Sequence, residues 1–160
     1  MSLKEEVELL QRIPFFANVE ASKLKLLAFT SQRIAFEPGG IVCRQGDMGD
    51  AAYIIIEGDA EILVNTPTGP VLVATLGKND VVGEIAILCD VPRTATVRAK
   101  NRLTTLRISK ELFLRMITEF PTMAVAVMRE LAHRLELNNQ KLRDALEEVK
   151  RLRPAQPAGA

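Results

Sequence analysis

The stretch that decides the fold runs Val82-Gly-Glu-Ile-Ala-Ile-Leu-Cys-Asp-Val-Pro-Arg-Thr-Ala-Thr-Val97. It opens on a glycine, continues through one helical turn over Glu84–Leu88, breaks at the tight turn Asp90-Val91-Pro92 and ends in a strand. The start of a helix carries backbone N–H groups with no partner inside the helix, and these suit an anion. Gly83 has no side chain, so a ligand can come close to the amides of Ile85 and Ala86. Strand alternation sets the rest: if Ala95, Val97 and Ala99 face a core, Arg93 points the same way. An inward guanidinium needs a counter-charge, because leaving it unpaired costs several kcal/mol. Glu84 can close an internal Arg93–Glu84 pair, or a bound anion can take that role. Side-chain physics leaves both open.

Around this segment, from Thr30 to Ser109, short runs rich in Val, Ile and Ala alternate with turn residues. Strands are expected over 33–36, 41–44, 52–57, 60–65, 71–76 and 95–99. Pro38-Gly39-Gly40, Gly46-Asp47, Glu57-Gly58-Asp59, Thr66-Pro67-Thr68-Gly69-Pro70 and Gly77-Lys78-Asn79-Asp80 punctuate them. Strands at ~8–12-residue spacing with such breaks specify a small antiparallel barrel or sandwich. Outside this region the period is helical. Leu3, Val7, Leu9, Leu10 and Ile13 mark a helix over 3–12 that Pro14 ends. Leu24, Leu27 and Ala28 mark a second over 21–29, with Asn18 or Ser22 as its cap.

A short helix over 111–117 follows the strands. Pro121 suits a first helical position and no Gly or Pro follows until Pro154, which allows a helix of up to ~33 residues, about 50 Å. The expected fold class is α+β, mainly β: an antiparallel, jelly-roll-like β-roll over about 30–109, with short N-terminal helices and a long C-terminal helix. Residues 1–153 are expected to form one domain, with C-terminal helices over 111–153 and a frayed tail over 154–160.

Composition removes several function classes. The 160 residues hold 21 Lys+Arg and 20 Asp+Glu, a net charge of +1, which argues against a bulk nucleic-acid binder. No apolar run approaches the ~18 residues of a spanning helix, and Met1-Ser2-Leu3-Lys4-Glu5-Glu6 is too polar for a signal peptide, so a cytoplasmic chain is expected. Cys43 and Cys89 lack metal or CxxC spacing and read as free, buried thiols. His133 is the one histidine. It cannot by itself build an imidazole-rich metal centre such as a cupin-like metalloenzyme needs, and it reads as a helix-surface residue rather than a triad base. No catalytic residue, metal site or cofactor is expected.

Gly83-Glu84-Ile85-Ala86-Ile87 followed by Pro92-Arg93-Thr94-Ala95-Thr96-Val97 closely resembles the phosphate-binding cassette of cyclic nucleotide-binding domains. Such domains occur in the regulatory subunit of the cyclic-AMP-dependent kinase, in cyclic-nucleotide-gated channels and in the bacterial catabolite activator protein. Ile13-Pro-Phe-Phe16, Glu37-Pro-Gly-Gly40, Gln45-Gly-Asp47, Tyr53-Ile-Ile-Ile-Glu-Gly58 and Gly77-Lys-Asn-Asp80 extend the resemblance over roughly 8–145. The resemblance implies that Glu84 accepts from the ribose 2′-hydroxyl and that Arg93 contacts the exocyclic phosphate oxygens. The amides of Gly83, Ile85 and Ala86 would complete the cradle, and Thr94 would add an amide and a hydroxyl. Thr94 would also permit a syn guanine, so cyclic AMP is the first choice of ligand and cyclic GMP the second. Val82 departs from the family, which usually carries an aromatic there.

Met128, Leu131, Leu135, Asn138, Leu142, Ala145, Val149 and Leu152 recur at spacings of three and four, as in a coiled-coil seam with one polar position. Such a stripe either packs on its own barrel or pairs with a second copy. The homodimer is the expectation, since the helix is longer than a small β-roll can cover. By the same resemblance, Asn138 and Asn139 are the polar pair that would address the base, although one Asn in a seam also sets register. Lys150-Arg-Leu-Arg153 beside Glu147-Glu148 reads as a solvated helix end. Relatives add an output domain where this sequence stops, so a receptor signalling through an effector protein is expected. The alternative is a non-sensing dimerisation or scaffold module closed by the Arg93–Glu84 pair.

Overall fold

The first helical turn is held by a reciprocal cap. The Ser2 hydroxyl accepts from the Glu5 amide at 3.3 Å, and the Glu5 carboxylate accepts from the Ser2 amide at 3.0 Å, so two otherwise unpartnered donors are satisfied. In this computed structural model, which describes residues 2–153, helix α1 spans Leu3–Gln11 and buries Val7 and Leu10. The frayed tail expected over 154–160 lies outside the described residues. A 3-10 turn at Pro14–Phe16 buries both phenylalanines, which meet edge to face at 6.4 Å. Helix α2 spans Ala21–Thr30. Its N-cap is Glu20, with no side-chain bond, so neither Asn18 nor Ser22 is the cap. The buried Phe15, Phe16 and Val19 fix where the chain turns, and that sets the helix start.

Eight strands follow: β1 Gln32–Phe36, β2 Ile41–Cys43, β3 Ala51–Glu57, β4 Ala60–Thr66, β5 Gly69–Leu76, β6 Val81–Val82, β7 Thr96–Ala99 and β8 Leu103–Ser109. They form two four-stranded sheets, ordered β1-β8-β3-β6 and β2-β7-β4-β5, with antiparallel pairing throughout. This is the expected β-roll, although β6 and β8 are missing from the strands that the sequence marks out. β8 nonetheless lies at the centre of its sheet, between β1 and β3.

β3 is buried from Ala51 to Ile56, on both faces of its sheet. Ala52, Ile54 and Ile56 join a cluster beneath the helices with Leu10, Phe16, Leu27, Phe113, Met123 and Val127. Ala51, Tyr53 and Ile55 point into the roll with Ala60, Val82, Val97 and Leu103. A period of two on a strand covered on both sides gives an unbroken apolar run, and Ala-Ala-Tyr-Ile-Ile-Ile at 51–56 is that run. β3 therefore joins the helical layer to the roll interior.

Helix α3, Glu84–Leu88, is the one-turn helix expected from sequence. Helix α4, Lys110–Glu119, starts at Ser109, whose hydroxyl accepts from the Leu112 amide at 3.2 Å. Helix α5 spans Pro121–Leu152, with Pro121 in the first turn as expected. Its start buries Met123, Ala126 and Val127, and Leu131 packs against the same core. From Leu135 to Leu152 every residue is exposed, a projection of roughly 27 Å. Of the stripe, Leu131 alone packs on the chain's own core. Met128, Leu135, Leu142, Val149 and Leu152 remain uncovered.

Candidate functional site

Gly83 adopts φ +91°, the left-handed region, and caps the start of α3. A Cβ there would stand 2.3 Å from Arg93 Nη1 and 3.0 Å from the Ala51 carbonyl oxygen, so glycine is required for both conformation and space. Arg93 precedes β7, yet its side chain points inward with Val97 and Ala99, as alternation anticipates. Only 4% of Arg93 is exposed. Its Nη1 donates to the Gly83 carbonyl at 3.2 Å, and its Nη2 donates to the Ala51 carbonyl at 2.7 Å and to Asp50 Oδ1 at 3.4 Å.

The internal Arg93–Glu84 pair does not form. Glu84, 2% exposed, instead accepts from Arg134 of α5 in a short ion pair. Two backbone carbonyls and Asp50 already hold the Arg93 guanidinium, and Arg134 takes the Glu84 carboxylate. Arg134 is itself held by Glu130 one turn earlier (3.6 Å), by the Val81 carbonyl (3.4 Å) and over the Phe15 ring, 5.5 Å from its centroid. Burial pushes the Glu84 carboxyl above the usual carboxylate range, and the Arg134 charge works against that rise.

These groups line a cleft of about 170 Å³ that opens to solvent. Its walls include Gly83, Glu84, Ile85, Ala86, Arg93 and Thr94, with Ile62, Leu76, Val82 and Val97 forming an apolar side. Thr94 is exposed at the rim. The amides of Ile85 and Ala86 belong to the first turn of α3 and have no acceptor within that helix. Cys43 also lines the cleft, half-buried, and burial raises its thiol pKa against the opposing Arg93 charge. Cys89 is exposed rather than buried, because it caps the C-terminal end of α3 at the surface.

Six of the eight expected site residues are thus brought to one cleft, and Asn138 and Asn139 are not among its lining residues. Both are exposed on α5, one turn beyond Arg134, and Asn139 shares an open face with Leu135, Leu142 and Leu146. The sequence does not single out Arg134 or Asp50. No local pattern marks either: Arg134 meets a carboxylate 50 residues earlier in the chain, and Asp50 meets Arg93 43 residues later.

The site is a β-roll cleft pairing one buried arginine with the open amides of a helical turn, an arrangement that suits a small phosphorylated ligand. Residues 33–120 match the profile of the cyclic nucleotide-binding domain, and the chain belongs to that family. It is 36% identical over 109 residues to the cAMP-dependent protein kinase regulatory subunit of Schizosaccharomyces pombe, covering 68% of this chain and 26% of that protein. The chain therefore spans about a quarter of that relative's length. The sensor domain of the transcriptional regulator DNR from Pseudomonas aeruginosa superposes with a TM-score of 0.76 at 25% identity, covering 86% of this chain and 93% of that one. The regulatory subunit of a cAMP-independent protein kinase A from Trypanosoma brucei gives a TM-score of 0.72 at 27% identity, covering 88% and 51%. Among the described residues no helix is long and apolar enough to cross a membrane.

Proposed function

We propose that the chain is a cytoplasmic, non-enzymatic receptor for a 3′,5′-cyclic nucleotide, cyclic AMP before cyclic GMP, and that it passes the signal to a protein partner through α5. The observation that carries this reading is Arg93. It is buried, held in the cleft by two neutral carbonyls, and its ion-pair partner among the described residues, Asp50, is largely solvent-exposed. A cyclic phosphate would take the free guanidinium donors and the amides of Ile85 and Ala86. The ribose 2′-hydroxyl, left free by a 3′,5′-cyclic phosphate, would donate to Glu84.

Arg134 gives the reading its mechanical link. Glu84 is ion-paired to Arg134 of α5, so a hydroxyl arriving at Glu84 changes the groups that hold the helix. Ligand binding shifts the helix only by its differential affinity for the two helix positions. At a dissociation constant of ~1 μM the total binding free energy is about 8 kcal/mol, enough to move an equilibrium of a few kcal/mol. Pairing of two chains along the uncovered α5 stripe would bury Leu135, Leu142 and Val149 and bring Asn138 and Asn139 of each copy beside the other's helix. In that arrangement the two asparagines are the groups that would meet the base.

Titration calorimetry with cyclic AMP and cyclic GMP tests the proposal. Saturable binding is expected, abolished by Arg93→Ala and weakened by Glu84→Ala. No heat with either nucleotide at high micromolar concentration refutes it. The scaffold alternative has lost its defining feature, since the Arg93–Glu84 pair is absent.

A further inference from the structure

We infer that Arg107 and Asp50 form a counter-charge pair that sets how strongly the cassette arginine is neutralised before an anion arrives. Arg107 is thereby a positioning residue acting through Asp50, and the inference rests on the cyclic-nucleotide reading above. Asp50 stands between two guanidinium groups: Oδ1 accepts from Arg93 Nη2 at 3.4 Å and Oδ2 from Arg107 Nη2 at 3.1 Å. Arg107 projects from β8, opposite Tyr53 of β3. One carboxylate is shared by two cations, only one of which faces the cleft.

The loop over 45–50 keeps Asp50 in place. The Gly46 amide donates to the Arg93 carbonyl at 2.9 Å, and the Arg93 amide donates to the Asp47 carbonyl at 2.8 Å. A Cβ on Gly49 would fall 2.4 Å from the Ala86 Cβ, so the loop lies directly against α3. On the far side the Asp50 carbonyl accepts from the Lys110 amide, the first residue of α4, at 2.9 Å. Asp50 thus touches the cassette through its side chain and the start of the C-terminal helices through its backbone. This route is separate from the Glu84–Arg134 contact.

The direction of the effect follows from what holds Arg93. The carbonyls of Gly83 and Ala51 orient its guanidinium without help from Asp50, so Asp50 supplies charge rather than position. A phosphate reaching Arg93 meets that negative charge at close range and is disfavoured by it. Removing the carboxylate therefore favours the anion. Removing Arg107 leaves the carboxylate undivided for Arg93 and disfavours the anion. The Asp50 side chain is 70% exposed, so solvent keeps each effect to a few-fold.

The test is calorimetry of cyclic AMP binding at low salt on the wild type, Asp50→Asn, Arg107→Gln and the double variant. Asp50→Asn should lower the dissociation constant about threefold and Arg107→Gln should raise it by about the same factor. The double variant should match Asp50→Asn, because Arg107 acts through that carboxylate. Shifts of the same sign, or a double variant equal to the product of the singles, overturn the inference; loosening of the loop alone would weaken binding in every case. If the wild type binds neither cyclic AMP nor cyclic GMP, the functional reading fails, and the pair is then judged in the free protein. There, NMR of the Arg93 guanidinium should show slower Cζ–Nη rotation in Arg107→Gln and faster rotation in Asp50→Asn. Unchanged rotation in both overturns it.

Discussion

Replacing Gly83 by alanine isolates what the cassette glycine does, because the structure supplies a matched control. Gly83 and Gly46 have the same φ, +91°, but a Cβ at Gly46 meets nothing within 4 Å. At either position alanine incurs roughly 1–2 kcal/mol for a left-handed conformation, offset by about 0.4–1 kcal/mol from the stiffer unfolded chain. Gly46→Ala should therefore destabilise by about 1.6 kcal/mol at most. Gly83→Ala incurs the same strain and also drives Arg93 Nη1 from a position 2.3 Å from the new atom. That displacement breaks or lengthens bonds from a buried cation to the Gly83 and Ala51 carbonyls, each worth about 1.5–3 kcal/mol. After partial relaxation the total is about 3–5 kcal/mol, in the range of diagnostic core lesions.

Thermal unfolding followed by circular dichroism reads this difference directly. At ~2–4 °C per kcal/mol for a chain of this size, Gly83→Ala should lower Tm by about 6–20 °C and Gly46→Ala by no more than about 6 °C. Calorimetry on folded Gly83→Ala at low temperature should also show loss of nucleotide binding, since the guanidinium no longer points along the cleft. Equal Tm shifts for the two variants, or intact binding by Gly83→Ala, would refute the argument that Gly83 exists to admit Arg93.

Three further outcomes are expected. Burial raises the Glu84 pKa, and a ribose hydroxyl donating to Glu84 favours its ionised form, so binding releases a proton and affinity should rise as pH climbs through that raised value. Calorimetry at a series of pH values upward from the ordinary carboxylate range should show this slope and its loss in Glu84→Gln; a slope that survives assigns it to another group. Thr94→Ala should weaken cyclic GMP binding more than cyclic AMP binding, and equal losses reject a guanine role for the hydroxyl. Sedimentation should find a dimer that Leu142→Glu with Leu146→Glu converts to monomer, whereas a monomeric wild type at all concentrations removes the α5 pairing.

Much of the site was legible because it lies within one continuous segment. Gly83, Glu84, Ile85, Ala86, Arg93 and Thr94 span twelve positions, and local rules govern them: a helix start, a turn, and the alternation that turns Arg93 inward. Those rules hold even though Ala95 lies in a bend before β7 rather than within it. They cannot choose a partner for a buried charge. Glu84 was a reasonable candidate for Arg93 by proximity in sequence, yet Asp50 and two carbonyls take that place and Arg134 takes Glu84.

The period of each element, the two helical ends around a β-roll and the cassette are all legible along the chain. These follow from side-chain spacing and backbone chemistry within a few residues. Its long apolar stripe on α5 was also visible, but not that Leu131 faces the core while Leu135 and all that follow face solvent. Which charges meet is set by the three-dimensional packing. The folding of two sheets and α5 around one cleft brings together Asp50, Glu84, Arg93, Arg107 and Arg134, and ion pairing depends on distance in space, which spacing along the chain does not encode.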